Sequence, residues 1–265
     1  MKKFLIALAF LAAFTQGGAA AASAAGPSRE SGDGTLSLSP AVITLRGEAG
    51  QSTTQTLTLR NQTSRTMSFD VVAEDVIVRN GARAFVEAGK IPGSIAATAV
   101  FSERHVKVAS GNSATVTATF TIPPNAGSRA VVAMFRGTDK IKNGNATSTA
   151  SLGSLLTFAL SDNTALATGA LQVEPQSATT NLAIAQTCTN SGSEPLVAKG
   201  MLAVIGADGR IAGKAALAPR RLLPGERASL GAQYGAELSP GRYRVLVTYD
   251  YEGRSSTQSA EVTIQ

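Results

Sequence analysis

The sequence has few of the residues on which most enzyme sites and metal centres are built. Its 265 residues include one cysteine, one histidine and no tryptophan, and aromatic residues make up 5%. A single cysteine excludes an internal disulfide and a cysteine-based zinc site, and a single histidine excludes a histidine-rich metal centre. The scarcity of aromatics argues against a stacking platform for sugars or single-stranded nucleic acid. We therefore expect a binding or structural protein with no cofactor and no metal.

The N-terminus has the layout of a secretory signal peptide. Lys2 and Lys3 precede an apolar run over residues 4–14, and a small-residue stretch follows up to Ala24. The apolar run is too short to span the hydrocarbon core of a bilayer, whereas it suits the apolar segment of a cleaved signal. We expect residues 1–24 to be removed, residues 25–34 to form a flexible lead-in, and the mature protein to be periplasmic or extracellular without a membrane span.

The composition and charge describe a globular, mildly basic chain. Hydrophobic residues make up 43% and charged residues 16%, and the net charge is +6. Removal of Lys2 and Lys3 lowers the charge to +4. This permits weak attraction to anionic envelope polymers, but it is not the dense basic surface that a nucleic-acid partner requires.

Short alternating segments between turn residues dominate the remaining sequence. Residues 114–122 place threonine on one face and small or apolar residues on the other, as in a half-buried strand. Turn signals follow at nearly the spacing of a β-sandwich, for example at Asn80-Gly81 and at residues 123–127. Only Ile95–Ala99 suggests a single helical turn. The pattern predicts an all-β fold.

The second half of the chain repeats the pattern of the first. A shift of 114 residues places Val108 on Leu222 and Gly111 on Gly225, and similar turns begin at Asn61 and Asn190. Each half is long enough to form its own core. We therefore predict two immunoglobulin-like β-sandwich domains in tandem, over residues 35–162 and 168–265, which a polar connection joins.

No residue pattern supports an enzyme site. The one possible triad base, His105, stands at a strand entrance without a nucleophile elbow anywhere in the sequence, so we interpret it as a surface or edge histidine. Cys188 lies in a strand-like segment with no basic neighbour and is interpreted as a core residue. The adjacent acids Glu74 and Asp75 point to opposite faces of a strand and are interpreted as a solvated turn or edge pair.

Two basic or glycine-rich segments have simpler interpretations than a ligand site. Residues 206–214 superficially suggest a phosphate loop, but the glycine spacing differs and an Asp-Gly hairpin turn is favoured. Arg242 with Arg244 forms one of the two densest basic patches, and Arg220, Arg221 and Arg227 form the other. This patch is either a solvated sheet face or a candidate site for an anionic polymer.

The first half resembles the N-terminal domain of periplasmic pilus-assembly chaperones and related immunoglobulin-like surface-complex proteins. The resemblance rests on the alternation over residues 36–45, the Thr-Leu segment that ends at Asn61, and the later segments 108–122 and 130–135, which a Pro-Pro loop separates. It covers roughly Leu36 to Leu160. In that family the last strand of the first domain contributes alternating apolar residues to a partner subunit, which is β-strand addition.

The resemblance implies a candidate partner-binding row on the last strand of the first domain. The apolar residues at even-numbered positions, which point to the same face of this strand, are Leu152, Leu156, Phe158 and Leu160. The alternative is that this row fills the domain's own core. The family also uses a basic pair, one residue on the first strand and one on the last, to anchor a subunit's C-terminal carboxylate. In this sequence Val42 and Leu156 or Thr157 occupy those positions, so the basic pair is absent.

Two functions follow from these expectations. The first is a non-enzymatic, periplasmic chaperone-like protein that binds protein subunits of a pilus or other surface structure, by β-strand addition. The alternative is a cell-envelope adaptor that binds a wall polymer or a surface protein through loops or the basic patch. Nucleic acid is not expected as a partner of either.

Overall fold

The part of the chain that the structure describes folds mostly into β-strands. The computed structural model of the protein describes residues 34–139, 141–143, 146–175, 182–235 and 238–265, and the predicted signal peptide lies outside these ranges. The described residues form nineteen strands and one 3-10 turn, Ala96–Thr98, at the place where the sequence predicted a single helical turn. The predicted all-β architecture of two tandem sandwiches is confirmed.

The first sandwich contains twelve strands. They are β1 Leu36–Ser39, β2 Val42–Arg46, β3 Ser52–Asn61, β4 Met67–Arg79, β5 Ala82–Glu87, β6 Val100–Phe101, β7 His105–Val108, β8 Ser113–Thr121, β9 Ala130–Gly137, β10 Ile141–Asn143, β11 Ala146–Ser148 and β12 Ser151–Ala159. One sheet has the order β1-β3-β8-β6, and the other has the order β2-β12-β9-β4-β5, with β7 also beside β4. Strands β10 and β11 form a separate hairpin.

The second sandwich contains the remaining seven strands. They are β13 Leu166–Pro175, β14 Leu182–Asn190, β15 Leu196–Gly206, β16 Ile211–Leu222, β17 Arg227–Tyr234, β18 Gly241–Tyr251 and β19 Arg254–Ile264. One sheet has the order β13-β14-β17, and the other has the order β16-β15-β18-β19. The turn between β15 and β16 is the predicted Asp-Gly hairpin, in which the Gly206 amide donates to the Arg210 carbonyl at 2.9 Å.

The alternating residues of the two sheets of each sandwich bury a separate core. In the first sandwich, the rings of Phe120 on β8 and Phe158 on β12 meet edge to face, with centroids 6.1 Å apart. In the second, Cys188 and Tyr249 are fully buried. Burial raises the pKa of the Cys188 thiol, and the thiol has no basic group beside it, so the interpretation of Cys188 as a core residue is confirmed.

A buried asparagine joins two turns in each sandwich. The Asn61 side-chain amide donates to the Val108 carbonyl at 2.9 Å, and the Asn190 amide donates to the Leu222 carbonyl at 3.0 Å. Asn61 and Asn190 are both fully buried. The predicted shift of 114 residues, which places Val108 on Leu222, therefore describes equivalent positions of one repeated structure.

The matched asparagines predict matched losses of stability. Asn61→Ala removes the side-chain donor to the Arg65 and Val108 carbonyls, and Asn190→Ala removes the side-chain donor to the Glu194 and Leu222 carbonyls. We expect each to lower the free energy of unfolding by at least about 2 kcal/mol, measured by urea denaturation. Asn112→Ala is the control because Asn112 is exposed and its described hydrogen bonds come from its backbone. If Asn61→Ala and Asn190→Ala lowered the free energy of unfolding no more than Asn112→Ala does, the buried asparagines would not stabilise the turns.

Candidate functional site between the two sandwiches

The second sandwich docks on the outer face of one sheet of the first. This face belongs to the sheet β2-β12-β9-β4-β5, and the register places Val42, Leu155 and Val132 in one row across it. Leu223 of the second sandwich completes a buried cluster on this face, with its side chain only 2% exposed. The other members of the cluster are Val76, Ala130, Val132, Met134 and Leu155.

Two buried ion pairs flank this apolar contact. Glu226 accepts hydrogen bonds from Arg83 Nε at 2.9 and 3.0 Å, and Glu194 accepts from Arg129 Nε at 3.2 and 3.3 Å. The two carboxylates belong to the second sandwich and are 4% and 2% exposed, whereas their arginines belong to the first. A desolvated ion pair with several hydrogen bonds is directional, and so these contacts fix the orientation of the two sandwiches.

The predicted partner-binding row faces the core of the first sandwich. Leu156 and Phe158 are fully buried there, while Leu152 and Leu160 pack partly buried against the same core. The centre of the row therefore fills the domain's own core, which is the alternative that the sequence left open. The opposite sheet of the first sandwich covers Leu156 and Phe158. Only the two ends, Leu152 and Leu160, retain exposed surface, and binding of a partner by this row stays a prediction.

Strand β12 has one unpaired edge at its beginning. Over Leu155–Ala159 it pairs with β9 on one side and in parallel with β2 on the other. Over Ser151–Ser154 its backbone pairs with β9 alone, since β2 begins opposite Leu155. The segment Ser151–Gly153, which we call the open edge, therefore presents backbone groups with which no strand of the described ranges pairs.

The three arginines of the predicted basic patch lie in different surroundings. Arg220 is exposed, and its Nη2 lies 3.7 Å from Glu226 Oε1. Arg221 is half-buried between the sandwiches, where its Nη1 donates to Thr157 Oγ1 at 3.0 Å. Arg227 is exposed, and its backbone amide donates to Gly81 of the first sandwich at 2.8 Å. These residues form part of an inter-domain contact; binding of a polymer by them stays a prediction.

Thr157, one of the two candidates for the last-strand position at which the sequence lacks a basic residue, lies against Arg221. Thr157 on β12 pairs in parallel register with Thr44 on β2, and its hydroxyl donates to the Ile43 carbonyl at 3.2 Å. The cation beside this position therefore comes from the second sandwich. The sequence did not reveal this contact because Arg221 and Thr157 are 64 residues apart.

The structure corrects the interpretation of Glu74 and Asp75 as a solvated turn or edge pair. Both residues lie inside the central strand β4 and are buried, rather than in a solvated turn or at an edge. Asp75 accepts hydrogen bonds from the hydroxyls of Ser94 at 2.5 Å and Ser128 at 2.7 Å, and Glu74 pairs with Arg136. The two side chains lie on opposite faces, as expected, so they cannot act together on one substrate.

The other residues considered for chemistry do not assemble into a site. His105 is exposed and contacts Asp70 at 2.6 Å, which confirms it as a surface histidine. Within the described ranges, no group of three or more histidine, cysteine and acidic residues could hold a metal ion. No helix in the same ranges is long and apolar enough to cross a bilayer.

Comparisons with known proteins find similarity in structure but no match by sequence. No protein-family model matches the sequence, and no curated protein matches it. Similar solved structures include many fimbrial chaperones, the family that the sequence resembles. The class 5 fimbriae chaperone CfaA is 14% identical, with 86% of this chain and 98% of that chain covered and a TM-score of 0.42. The E. coli chaperone DraB is 14% identical, with 87% and 98% covered and a TM-score of 0.39. The Pseudomonas aeruginosa CupB2 chaperone is 12% identical, with 84% and 98% covered and a TM-score of 0.36.

The buried ion pairs predict that docking depends on single carboxylates. Glu226→Gln leaves the Arg83 guanidinium, which is 22% exposed, without its counter-charge. Because removal of one partner strands the other charge, we expect domain docking to weaken by about 3 kcal/mol. Weaker docking should appear as faster proteolysis in the connection over residues 160–165. It should also appear as a larger radius of gyration in X-ray scattering. Asp208→Asn, which removes the exposed contact with Arg210, is the control; equal behaviour of the two variants would contradict the role of Glu226.

Proposed function

We propose that this chain is a non-enzymatic, exported chaperone-like protein that captures a protein subunit of a pilus or other surface structure. The open edge of β12 is the observation that carries the proposal. The partner adds an extended segment to this edge, in line with β2. Residues 1–24 serve as the signal peptide, and capture takes place in the periplasm or outside the cell.

The open edge has the hydrogen-bonding groups that strand addition requires. The Leu155 amide donates to the Ala41 carbonyl at 2.9 Å, toward the side that β2 occupies. Because successive backbone amides of a strand alternate in direction, the amides of Gly153 and Ser151 point to the same side. No strand of the described ranges pairs with them there, so a partner segment can extend the line of β2 along β12.

The residues at the open edge suit a close approach of another backbone. A Cβ atom on Gly153 would lie 2.6 Å from Val132 Cγ2, so glycine is needed for β12 to lie against β9. Ser151 is exposed, and Val42, at the start of β2, keeps 45% of its surface exposed. An apolar side chain of a partner segment can cover Val42 where the segment meets β2.

The docked second sandwich supports capture by holding the sheet that contains β12 in one arrangement before a partner arrives. Leu223 packs on the outer face of that sheet, and the two buried ion pairs hold the second sandwich against the first. A preformed site avoids the entropy cost of ordering two domains upon binding.

Ser151→Pro tests strand addition with minimal disturbance of the fold. Proline removes the outward amide at the open edge, whereas Ser151→Ala retains it, and so the alanine variant is the matched control. We expect the wild-type protein and Ser151→Ala to recover a small secreted subunit from the native envelope in about one-to-one ratio. Ser151→Pro should reduce this recovery by about tenfold, because at least one hydrogen bond of the added strand is lost and its neighbours are misaligned.

The outcome distinguishes strand addition from other modes of binding. Equal recovery by both variants, with unchanged circular dichroism, would overturn capture at the open edge. Phe158→Asp is a poor test, because a carboxylate in the core would unfold the first sandwich whether or not a partner binds.

A further inference from the structure

Strand β5 lies at the end of the sheet β2-β12-β9-β4-β5 that is opposite to β2. Within the described ranges it pairs with β4 alone, over Ala82–Glu87. Soluble proteins usually protect such a strand with proline, lysine or a β-bulge. Strand β5 has no proline and no lysine, and its register with β4 is continuous. We call its unpaired side the β5 edge.

Alternate residues of β5 direct their backbone groups toward the β5 edge. The two-residue turn Asn80-Gly81 joins β4 to β5, with φ angles of 54° and 79°. Residues that flank such a turn exchange both backbone hydrogen bonds, so the even-numbered residues of β5 bond to β4. The odd-numbered residues point their backbone groups away from β4, and they are Arg83, Phe85 and Glu87.

Phe85 is an exposed aromatic residue in the middle of the β5 edge. It pairs across the sheet with Val76, which belongs to the buried cluster around Leu223. Cross-strand partners share one face of a sheet, so Phe85 continues this apolar face as far as the β5 edge. The ring keeps 42% of its surface exposed. Pairing of the β5 edge with another strand would bury part of this surface.

Charges of opposite sign flank Phe85 on the same face. Arg83 lies two residues before it, and Glu87 lies two residues after it. Arg83 donates to the second sandwich through Nε and Nη2, whereas its Nη1 has no partner among the described residues. Glu87 is exposed and lies opposite Glu74 in the register. Because like charges on opposite residues repel, Glu87 gains from a nearby cation.

We propose that the β5 edges of two copies of this chain pair antiparallel and form a symmetric dimer. The register that places Phe85 opposite Phe85 of the second copy also places Arg83 opposite Glu87, once on each side of the two-fold axis. The neighbouring registers that hydrogen bonding allows place Phe85 opposite a charged residue instead. The charge pattern of β5 therefore selects one self-complementary register, with two rings between two ion pairs.

The dimer leaves the open edge of β12 free. Strands β4 and β9 separate β5 from β12 in the sheet. Each copy can therefore capture a partner while it is paired with the other copy, and the dimer does not depend on the proposed capture.

Analytical ultracentrifugation of the chain without residues 1–24 tests the dimer. We expect a reversible monomer–dimer equilibrium. Phe85→Glu places two carboxylates opposite each other at the axis and should raise the dissociation constant by at least about tenfold. Glu87→Lys, which faces Arg83 of the second copy, should do the same. Val100→Glu is the matched control, because Val100 is 64% exposed on the other sheet, and it should leave the equilibrium unchanged.

Phe85→Cys tests the register of the pairing. Opposite residues of an antiparallel pair have Cα atoms about 5.5 Å apart, within reach of a disulfide. Since Cys188 is fully buried, mild oxidation should give a covalent dimer of Phe85→Cys through the new thiol. Val100→Cys should stay monomeric under the same oxidation, and equal cross-linking of the two variants would overturn the register.

The other outcomes each overturn pairing at the β5 edge. A wild-type chain that stays monomeric at its highest soluble concentration contradicts the dimer. A dimer that Phe85→Glu preserves and Ser151→Pro abolishes would form through the open edge instead. A monomeric chain that loses its captured subunit in Phe85→Glu would assign the β5 edge to that subunit. Thermal unfolding midpoints that match between Phe85→Glu and Val100→Glu exclude a folding defect.

Discussion

The contact between Leu223 and the outer face of the sheet β2-β12-β9-β4-β5 determines how the two sandwiches are arranged. Leu223 is buried among residues of the first sandwich, and the carboxylates of Glu226 and Glu194 hold arginines of the first sandwich. Apolar burial supplies attraction without direction, and the buried ion pairs supply the direction. Together they determine which part of the sheet face the second sandwich covers.

This contact divides β12 into two parts with different roles. Its second part has a strand on each side and contributes Leu156 and Phe158 to the core, so it stabilises the first sandwich. Its first part, the open edge, has β9 on one side only. Soluble proteins usually protect such an edge because it invites pairing with other chains. The proposed capture of a partner segment uses this tendency of an open edge to pair.

The sequence predicts the strands and the repeated turns well because both depend on local chemistry. Alternation over residues 114–122 follows from the two faces of a strand, and Asn61 and Asn190 mark equivalent turns. The alternation does not indicate whether solvent, the opposite sheet or the other sandwich covers a given face of a strand. For this reason the sequence favours a solvated pair at Glu74 and Asp75, although β4 has a neighbouring strand on each side there and both residues are buried. For the same reason the row through Phe158 could be assigned either to a partner or to the core.

The inter-domain contacts join residues far apart in sequence, yet the internal repeat contains a signal for them. Arg83 and Glu226 are 143 residues apart, so no local pattern connects them. The equivalent hydrogen bonds of the two asparagines, however, place Glu226 at the position of Asn112 and Glu194 at the position of Arg65. Two copies of one fold can share their core pattern, but they must differ where one copy docks on the other. An acid that appears in only one copy, at a turn that both copies share, therefore marks the docking surface.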